Sequence, residues 1–388
     1  MKDVILEGLT KFPHRSSTTA AEKQAADYLV EKLQGLGLAV TVEPFTAITT
    51  FSWVYFLLYA GFALATAVHY FLPALGFGLL VLFTVLFVGE QLTWWSPLSR
   101  LVPRGESQNV LARLEPETGE NLLVLVAHYD TSKTALAFSP GTVKYLRLLF
   151  KVSLFMLLTA LLGAGLHLFR PDSGWSALDY LLLMPILYFL YAAGLMVERE
   201  LRGKPVQGAA DNASGVAVAV ELMKRLKDKG GLPGWKARLL LTGAEEVGMA
   251  GMSAFLEQHG REFDPARSVF LNFDNIGAGR LTYVTGEGML KRFPGDPELI
   301  RLAVELSREE PFQSVQGRDF RALTLDTLVA NARGFRVLSF MGLNENGVAW
   351  PWHWHDDILE NIDREVLDMA AEFAWALMGR LAAKPAAS

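Results

Sequence analysis

Between Phe51 and Val88 the chain carries no Asp, Glu, Lys or Arg, and this apolar stretch limits the possible folds more than any other feature. A transmembrane helix needs roughly 20 apolar residues, so the stretch is long enough for two helices, with a turn near Pro73 and Gly76. The alternative is a buried core hairpin, but core helices normally show a polar face and none is visible here. We therefore predict a transmembrane hairpin over residues 51–90.

A second apolar hairpin is predicted over residues 145–199. Its spans are Val152–Phe169 and Leu181–Val197, separated by the polar tip Arg170–Gly174. Asp179 lies near this tip, where its charge reaches water. The two hairpins predict a four-helix unit of a multi-pass integral membrane protein whose partner is the lipid bilayer.

Basic residues indicate which side of the membrane holds the rest of the chain. The tips carry almost none, with Arg170 as the exception, whereas many flank the opposite ends of the hairpins. These flanking residues are Arg100, Arg104, Lys144, Arg147, Lys151, Arg199, Arg202 and Lys204. The positive-inside rule then places the remaining domain in the cytoplasm, attached to a bacterial-type inner membrane. The charged segment from Met1 to Thr50 lacks a signal-peptide pattern, which agrees with that orientation.

Residues 1–50, 91–136 and 200–388 have the pattern of a soluble domain, in which short apolar strands alternate with helices. The first long helix is predicted over Thr18–Leu36, with Glu22 and Lys23 among the polar residues between its apolar positions. Predicted strands include 109–114, 122–127, 237–242, 268–273, 281–285 and 335–340. This alternation is typical of an α/β fold with a largely parallel sheet.

Composition excludes several classes of protein. The formal net charge of −5 comes without a basic stripe, so no nucleic-acid partner is expected. The chain contains no cysteine, which excludes disulfides, thiol catalysis and Cys-ligated zinc. Any bound metal must therefore use His, Asp and Glu.

Ligand-type side chains follow three predicted strands. His128, the pair Glu245-Glu246 and Asp274 stand at these positions, and ligands of open α/β sheets bind beyond the carboxyl ends of strands. Asp211 lies in a loop of small residues before a predicted helix. Taken singly, each residue also fits a helix cap, a turn or a core histidine. Together, at matching positions, they predict one site.

Counting ligands suggests two metal ions that share Asp211. His128, Asp211, Glu246, Asp274 and a late histidine provide three ligands for each ion only if Asp211 bridges. Catalytic zinc uses three protein ligands and keeps a position open. Glu245 would then face the water as general base. Asp130 is predicted to accept the other ring N–H of His128.

The motifs that carry these residues resemble the co-catalytic two-zinc aminopeptidases of metallopeptidase clan MH. That group includes bacterial leucyl aminopeptidases, glutamate carboxypeptidase-like enzymes and the related glutaminyl cyclases. The resembling motifs are His128-x-Asp130, Asp211-Asn-Ala-Ser-Gly215, Glu245-Glu246, Asp274, Asp326-Thr327 and His353-Trp-His-Asp-Asp357-Ile-Leu-Glu-Asn-Ile-Asp363. The last resembles the family pattern His-Thr-x-x-Asp-Thr-x-x-x-x-Asp, which points to His353 as the late ligand, with His355 a weaker candidate. The two apolar hairpins depart from the pattern and resemble the family's membrane-bound members in architecture only.

The resemblance implies a three-layer α/β/α aminopeptidase-type fold with a mixed sheet. It implies that His128, Asp211 and Asp274 hold one zinc, that Asp211, Glu246 and His353 hold the other, and that Glu245 is the base. Mn²⁺ or Co²⁺ fits the same ligands. Asp326 would match the family's Asp before the last strand, with a simple helix cap as the alternative.

The expected function is a membrane-anchored zinc aminopeptidase acting on peptides. A carboxypeptidase or dipeptidase on the same site is the close alternative, and glutaminyl cyclisation is disfavoured because the complete ligand set suggests hydrolysis. A non-catalytic membrane scaffold is the alternative from another class, although a scaffold needs no general base such as Glu245. The sequence leaves open which peptide end is cut and the oligomeric state.

Overall fold

The computed structural model describes residues 1–93, 95–169 and 177–383. These residues form two compact units. The described residues within 1–49, 104–134 and 204–388 form one unit, and those within 50–103 and 135–203 form the other. The described residues of 91–103, which we grouped with the soluble domain, belong to the second unit.

Within the described residues, nine strands of the first unit form one mixed sheet. The strands are β1 (Ala39–Ile48), β2 (Arg104–Arg113), β3 (Asn121–His128), β4 (Trp235–Thr242), β5 (Ser268–Phe273), β6 (Arg280–Glu287), β7 (Phe293–Pro294), β8 (Gln316–Phe320) and β9 (Arg336–Leu343). The order is β1-β2-β4-β3-β5-β9-β6-β7, with β8 paired to β6. β2 and β3 follow each other in sequence, but β4 lies between them.

The centre of this sheet is parallel. β3 pairs in parallel with β4 on one side and β5 on the other, and β5 pairs in parallel with β9. The carboxyl ends of these four strands therefore meet at one edge. That edge receives the loops that carry the predicted site residues.

Helices cover both faces of the sheet, which confirms the predicted α/β/α class. The helices of this unit are α1 (Lys2–Leu9), α2 (Ala20–Gly35), α7 (Gly215–Asp228), α8 (Ala250–His259), α9 (Pro297–Leu306), α10 (Asp326–Ala332) and α11 (Arg364–Ala382). Alternate strand residues such as Leu123 and Leu125 pack in one buried cluster with α1, α2, α7, α9 and α11. Their neighbours Val124 and Val126 are equally buried and point to the other face, where α10 contacts β3 and β5 and also α8.

The second unit is helical. It contains α3 (Ser52–His69), α4 (Pro73–Gln91), α5 (Leu146–Leu168) and α6 (Ala177–Arg202). Each of these four described helices contains a segment long and apolar enough to cross a membrane. The predicted tip Arg170–Gly174 lies outside the described residues.

Polar side chains pair between helices inside this apolar unit. The amide of Gln91 donates to the Tyr55 hydroxyl at 2.9 Å, which ties α4 to α3. The hydroxyls of Ser153 and Tyr188 lie 2.6 Å apart and join α5 to α6. Such pairing satisfies polar groups that their apolar surroundings do not solvate.

Two side chains differ from the sequence-based expectation. Glu22 has no exposed surface, although the helical pattern grouped it with polar residues such as Lys23. Asp326 does not cap α10, because Leu325 occupies the N-cap position and the Asp326 carboxylate instead accepts the Thr242 hydroxyl. Both carboxylates are buried because they accept hydrogen bonds from residues distant in sequence, Ser107 for Glu22 and Thr242 for Asp326. A local sequence pattern does not contain this information.

Candidate metal centre

The edge formed by the parallel strands gathers the predicted ligands. His128 ends β3, Glu246 lies in the turn after β4, Asp274 follows β5 and His353 lies in the chain after β9. Asp211 precedes α7. All five side chains are buried, with exposed fractions between 1% and 8%.

Asp211 lies between the two histidines. Its Oδ1 is 3.1 Å from Nε2 of His128, and its Oδ2 is 3.0 Å from Nε2 of His353. Each carboxylate oxygen therefore faces a different imidazole. Asp211 is the side chain common to two groups of ligand-type residues.

The two groups contain the expected partners. Ligand atoms of His128, Asp211 and Asp274 all lie within 4.8 Å of one another, and so do those of Asp211, Glu246 and His353. Within the first group, Nε2 of His128 is 3.7 Å from Oδ1 of Asp274. Within the second, Nε2 of His353 is 2.9 Å from Oε2 of Glu246. The structure thus brings together all five residues that the sequence indicated.

The backbone around Asp211 is held by a second buried carboxylate. Oδ1 of Asp357 accepts the N–H of Ala210 at 2.6 Å, and Oδ2 accepts the N–H of Asp211 at 3.3 Å. Asp357 has no exposed surface. The residue belongs to the motif that begins at His353, so one motif supplies both a candidate ligand and a support for the shared carboxylate.

Asn212 and Ser214 attach the same loop to the end of β5. The Asn212 amide donates to the Phe273 carbonyl at 2.8 Å, and its oxygen accepts the N–H of Asn275 at 3.2 Å. The Ser214 hydroxyl accepts the N–H of Ile276 at 3.0 Å. Asp211 and Asp274 are therefore held relative to each other by the residues that follow them.

Arg15 is a buried cation that the sequence analysis did not single out. Its guanidinium donates to the carbonyls of Tyr129 at 2.6 Å, Gln207 at 2.7 Å and Gly208 at 2.8 Å. It thereby joins the chain after β3 to the loop before Asp211. No sequence signal distinguished Arg15 from a surface arginine.

The turn that carries Glu245 and Glu246 is fixed by Asp130. Oδ1 of Asp130 accepts the N–H of Glu245 at 3.0 Å, and Oδ2 accepts the N–H of Glu246 at 3.2 Å and the Ser17 hydroxyl at 2.7 Å. Its Oδ1 lies 3.5 Å from Nδ1 of His128, which is too far for the hydrogen bond that the sequence predicted. The hydrogen bonds of Asp130 support the glutamate pair.

Glu245 differs from its neighbour in exposure. Glu245 is partly exposed, whereas Glu246 is 8% exposed and Asp130 is fully buried. Of the two adjacent glutamates, Glu245 is therefore the residue in greater contact with solvent. His355, the weaker histidine candidate, is exposed and belongs to neither ligand group.

The cluster combines many buried carboxylates with few cations. Burial raises the pKa of Glu245, Glu246 and Asp274, and it raises the pKa of Asp326 to about 7 and that of Asp357 to about 8.

For Asp211 and His353, the partners outweigh burial. Burial opposes ionisation of Asp211, but hydrogen bonds from His128 and His353 outweigh it and lower the Asp211 pKa. For His353 burial disfavours the charged form, yet the Glu246 carboxylate prevails and raises its pKa to about 9.

These residues fit a pair of divalent cations. Buried carboxylates are stable as anions only when cations or donors compensate them. Imidazole nitrogens and carboxylate oxygens without thiolates are ligands that Zn²⁺, Mn²⁺ and Co²⁺ accept. The surrounding carboxylates raise the pKa of His128 and His353, and metal ligands must be deprotonated, so metal binding would displace protons from these imidazoles.

Solved structures with the same fold come from several bacteria. A zinc aminopeptidase from Bacillus subtilis is 15% identical, with a TM-score of 0.56 over 98% of this chain and 94% of that one. A Zn-dependent exopeptidase from Parabacteroides distasonis is 15% identical, with a TM-score of 0.55 over 97% of each chain. The glutaminyl cyclase of Porphyromonas gingivalis is 15% identical, with a TM-score of 0.55 over 98% of each chain. No curated protein matches the sequence.

Residues 195–378 match the family model described as Peptidase family M28. This segment contains Asp211, Glu246, Asp274 and His353, and it begins after His128. The match and the zinc exopeptidase neighbours support the class of metallo-exopeptidases, which are hydrolases. The matched segment is thus similar to peptidase family M28 over slightly less than half of the chain.

Proposed function

We propose that this protein is a membrane-anchored aminopeptidase that uses two zinc ions and Glu245 as general base. The observation that carries the proposal is the position of Asp211, whose two carboxylate oxygens face His128 and His353 separately. Sites for one ion also bring a carboxylate close to two histidines. Here each histidine faces a different oxygen of Asp211 and belongs to a separate group of ligand-type residues, which supports a carboxylate shared by two ions.

In this proposal the chain supplies three ligands to each ion. His128, Asp211 and Asp274 hold one, and Asp211, Glu246 and His353 hold the other. When bound, the ions supply Lewis acidity that polarises the scissile carbonyl and makes water more acidic. Two supports, Asp357 and Arg15, hold the loop of the shared ligand in place.

Glu245 is proposed to take a proton from the attacking water and return it to the leaving amine. Glu245 is the more exposed residue of the pair, and its backbone is fixed by Asp130. Burial raises its pKa, which strengthens it as a proton acceptor when ionised. The adjacent Glu246 faces His353, so the two neighbours take different roles.

The four apolar helices are proposed to anchor the catalytic unit to the membrane. Their length and composition support spanning. The basic residues beside the spans, such as Lys144 and Arg202, support a cytoplasmic position for the catalytic unit.

A peptide-library digest of the purified protein, with metal analysis, tests the proposal. We expect release of N-terminal residues, loss of activity on chelation and recovery with Zn²⁺. Glu245→Gln should lower kcat by at least 10²-fold, at the low end of the 10²–10⁴-fold contribution of general bases, and should retain metal. Glu257→Gln, at an exposed position on α8, is the control.

Other outcomes of the same digest decide against the proposal. Release of C-terminal residues would indicate a carboxypeptidase. Loss of ammonia from peptides with N-terminal Gln, without hydrolysis, would indicate a cyclase. Metal-loaded, folded protein that changes no peptide would indicate a scaffold.

A further inference from the structure

The turn between β4 and α8 is held at four consecutive backbone N–H groups. Those of residues 243–246 all donate to side chains from other elements. The Asn109 amide oxygen accepts the first at 3.2 Å, and Asp130 accepts the last two. Such a run of N–H groups forms a concavity that suits anions.

Glu22 accepts the remaining N–H. Its Oε1 lies 2.9 Å from the nitrogen of Ala244 and 2.8 Å from the Ser107 hydroxyl, and its Oε2 lies 2.8 Å from the nitrogen of Thr18. Glu22 is fully buried. A carboxylate from α2 is therefore bound directly to the residue before Glu245.

The position of Glu22 in its helix explains how it reaches the turn. Thr19 is the N-cap of α2 and accepts the N–H of Glu22, so Glu22 is the third residue of the helix. In a capping box, the glutamate at this position reaches back to the N-cap residue. Here one oxygen binds the N–H of Thr18, and the other extends to the turn of the Glu pair.

Ala244 needs this support because of its backbone conformation. Its φ is +50°, in the left-handed region that residues with a Cβ atom disfavour. A hydrogen bond from its N–H to a buried carboxylate helps to keep it there. If the acceptor were lost, Ala244 could relax, and the direction of the Glu245 side chain would change with it.

We infer that Glu22 is a positioning residue for Glu245. The inference rests on the proposed role of Glu245 as general base. Glu22 touches no reacting group in this account and acts only through the Ala244 backbone. Asp130 accepts the N–H groups of both glutamates, but Glu246 should be affected less because its side chain is also held by His353.

Glu22→Gln is the test, because it keeps the side-chain volume and removes one acceptor. An amide nitrogen must then face either the Thr18 or the Ala244 N–H. We expect kcat to fall by about 10- to 100-fold, the scale of a small misplacement of a catalytic group. KM should stay within about twofold, and the metal content should be unchanged. Hydrogen exchange of the metal-loaded protein should accelerate in residues 243–246.

Two further variants separate positioning from general stability. Glu31→Gln on the same helix changes an exposed side chain and should leave all readouts unchanged. Adding Ala244→Gly to Glu22→Gln should recover part of kcat, since glycine adopts positive φ without strain.

An unchanged kcat with unchanged exchange in residues 243–246 would overturn the inference. So would a fall in kcat that only follows a general loss of folded protein, with exchange accelerated throughout α2. If the wild-type protein hydrolysed no peptide, the proposed function would fail, while hydrogen exchange would still show whether Glu22 fixes the turn.

Discussion

Asp357 accepts the backbone N–H of Asp211, so a carboxylate that faces neither proposed ion fixes the residue that both would share. Its other oxygen accepts the N–H of Ala210. The two bonds orient the peptide before Asp211 from a position 146 residues further along the chain. The geometry of the candidate metal centre thus rests on this buried support as well as on the candidate ligands.

Asp357→Asn should weaken metal binding without removing a ligand. The amide nitrogen of Asn would face a backbone N–H, which breaks one of the two bonds. Outer-shell partners of metal ligands typically contribute 10- to 100-fold to affinity or activity. We expect a loss of that size in zinc affinity, measured by competition with a chelator.

The control is the variant Asp356→Asn, at an exposed neighbour, whose zinc affinity should match that of the wild type. Equal affinities in both variants would show that Asp357 does not support the site.

Glu287 makes stability depend on pH. Burial raises its pKa from 4.5 to about 8, although Thr327 and the N–H of Leu325 donate to it. Between these pH values the folded state keeps a proton that the unfolded state has lost, so stability falls as pH rises through the window. One pKa unit corresponds to about 1.4 kcal/mol.

Glu287→Gln should flatten this dependence between pH 4.5 and 8. Gln can accept from the Leu325 N–H and donate to Thr327, so the packing is retained. Denaturant unfolding at several pH values measures the change against Glu257→Gln, an exposed control. Equal slopes for the two variants would contradict the account.

The sequence indicated the candidate ligands, but it did not indicate the buried residues that hold their loops, such as Arg15 and Glu22. His128, Asp274 and the Glu pair follow strands, and the rule that ligands lie beyond the carboxyl ends of parallel strands brought them together. Arg15 and Glu22 could not be placed in the same way, because their burial depends on partners more than 80 residues away. The short strands β7 and β8 were also missed, since two and five residues carry little periodic signal.

The predicted partner of Asp130 illustrates the same limit. Its spacing from His128 suggested a bond to the imidazole, but the fold brings the turn of Glu245 and Glu246 to the same carboxylate. Two backbone N–H groups then occupy it at 3.0 and 3.2 Å. The motif identified Asp130 as a residue of the site, but its hydrogen-bond donors depend on the tertiary structure.

A pair of histidines joins α3 to α5 in the helical unit. Nε2 of His69 lies 3.0 Å from Nδ1 of His167, and Nδ1 of His69 lies 2.9 Å from the Pro73 carbonyl oxygen. For the proposed transmembrane helices, the expected scale of such a bond is about 0.6 kcal/mol on average and about 1.7 kcal/mol at most. His167→Ala should lower the unfolding free energy in detergent by an amount in this range. Leu166→Ala, at a position 62% exposed, is the control, and an equal effect of both variants would exclude the tie.

The membrane orientation can be tested with single cysteines, because the chain contains none. Phe71 is 84% exposed between α3 and α4, and Glu257 is exposed in the catalytic unit. A membrane-impermeant maleimide should label Phe71→Cys in intact cells and should label Glu257→Cys only after lysis. Labelling of Glu257→Cys from outside would reverse the proposed orientation.

Metal analysis of Asp211→Asn beside His128→Ala tests the shared carboxylate most directly. Wild-type protein should hold about two zinc ions per chain, as two-metal hydrolases do. Asp211→Asn should weaken both ions together, because each loses a ligand, whereas His128→Ala should mainly weaken one. Retention of one tightly bound ion in Asp211→Asn, or loss of both in His128→Ala alone, would contradict a site built around Asp211.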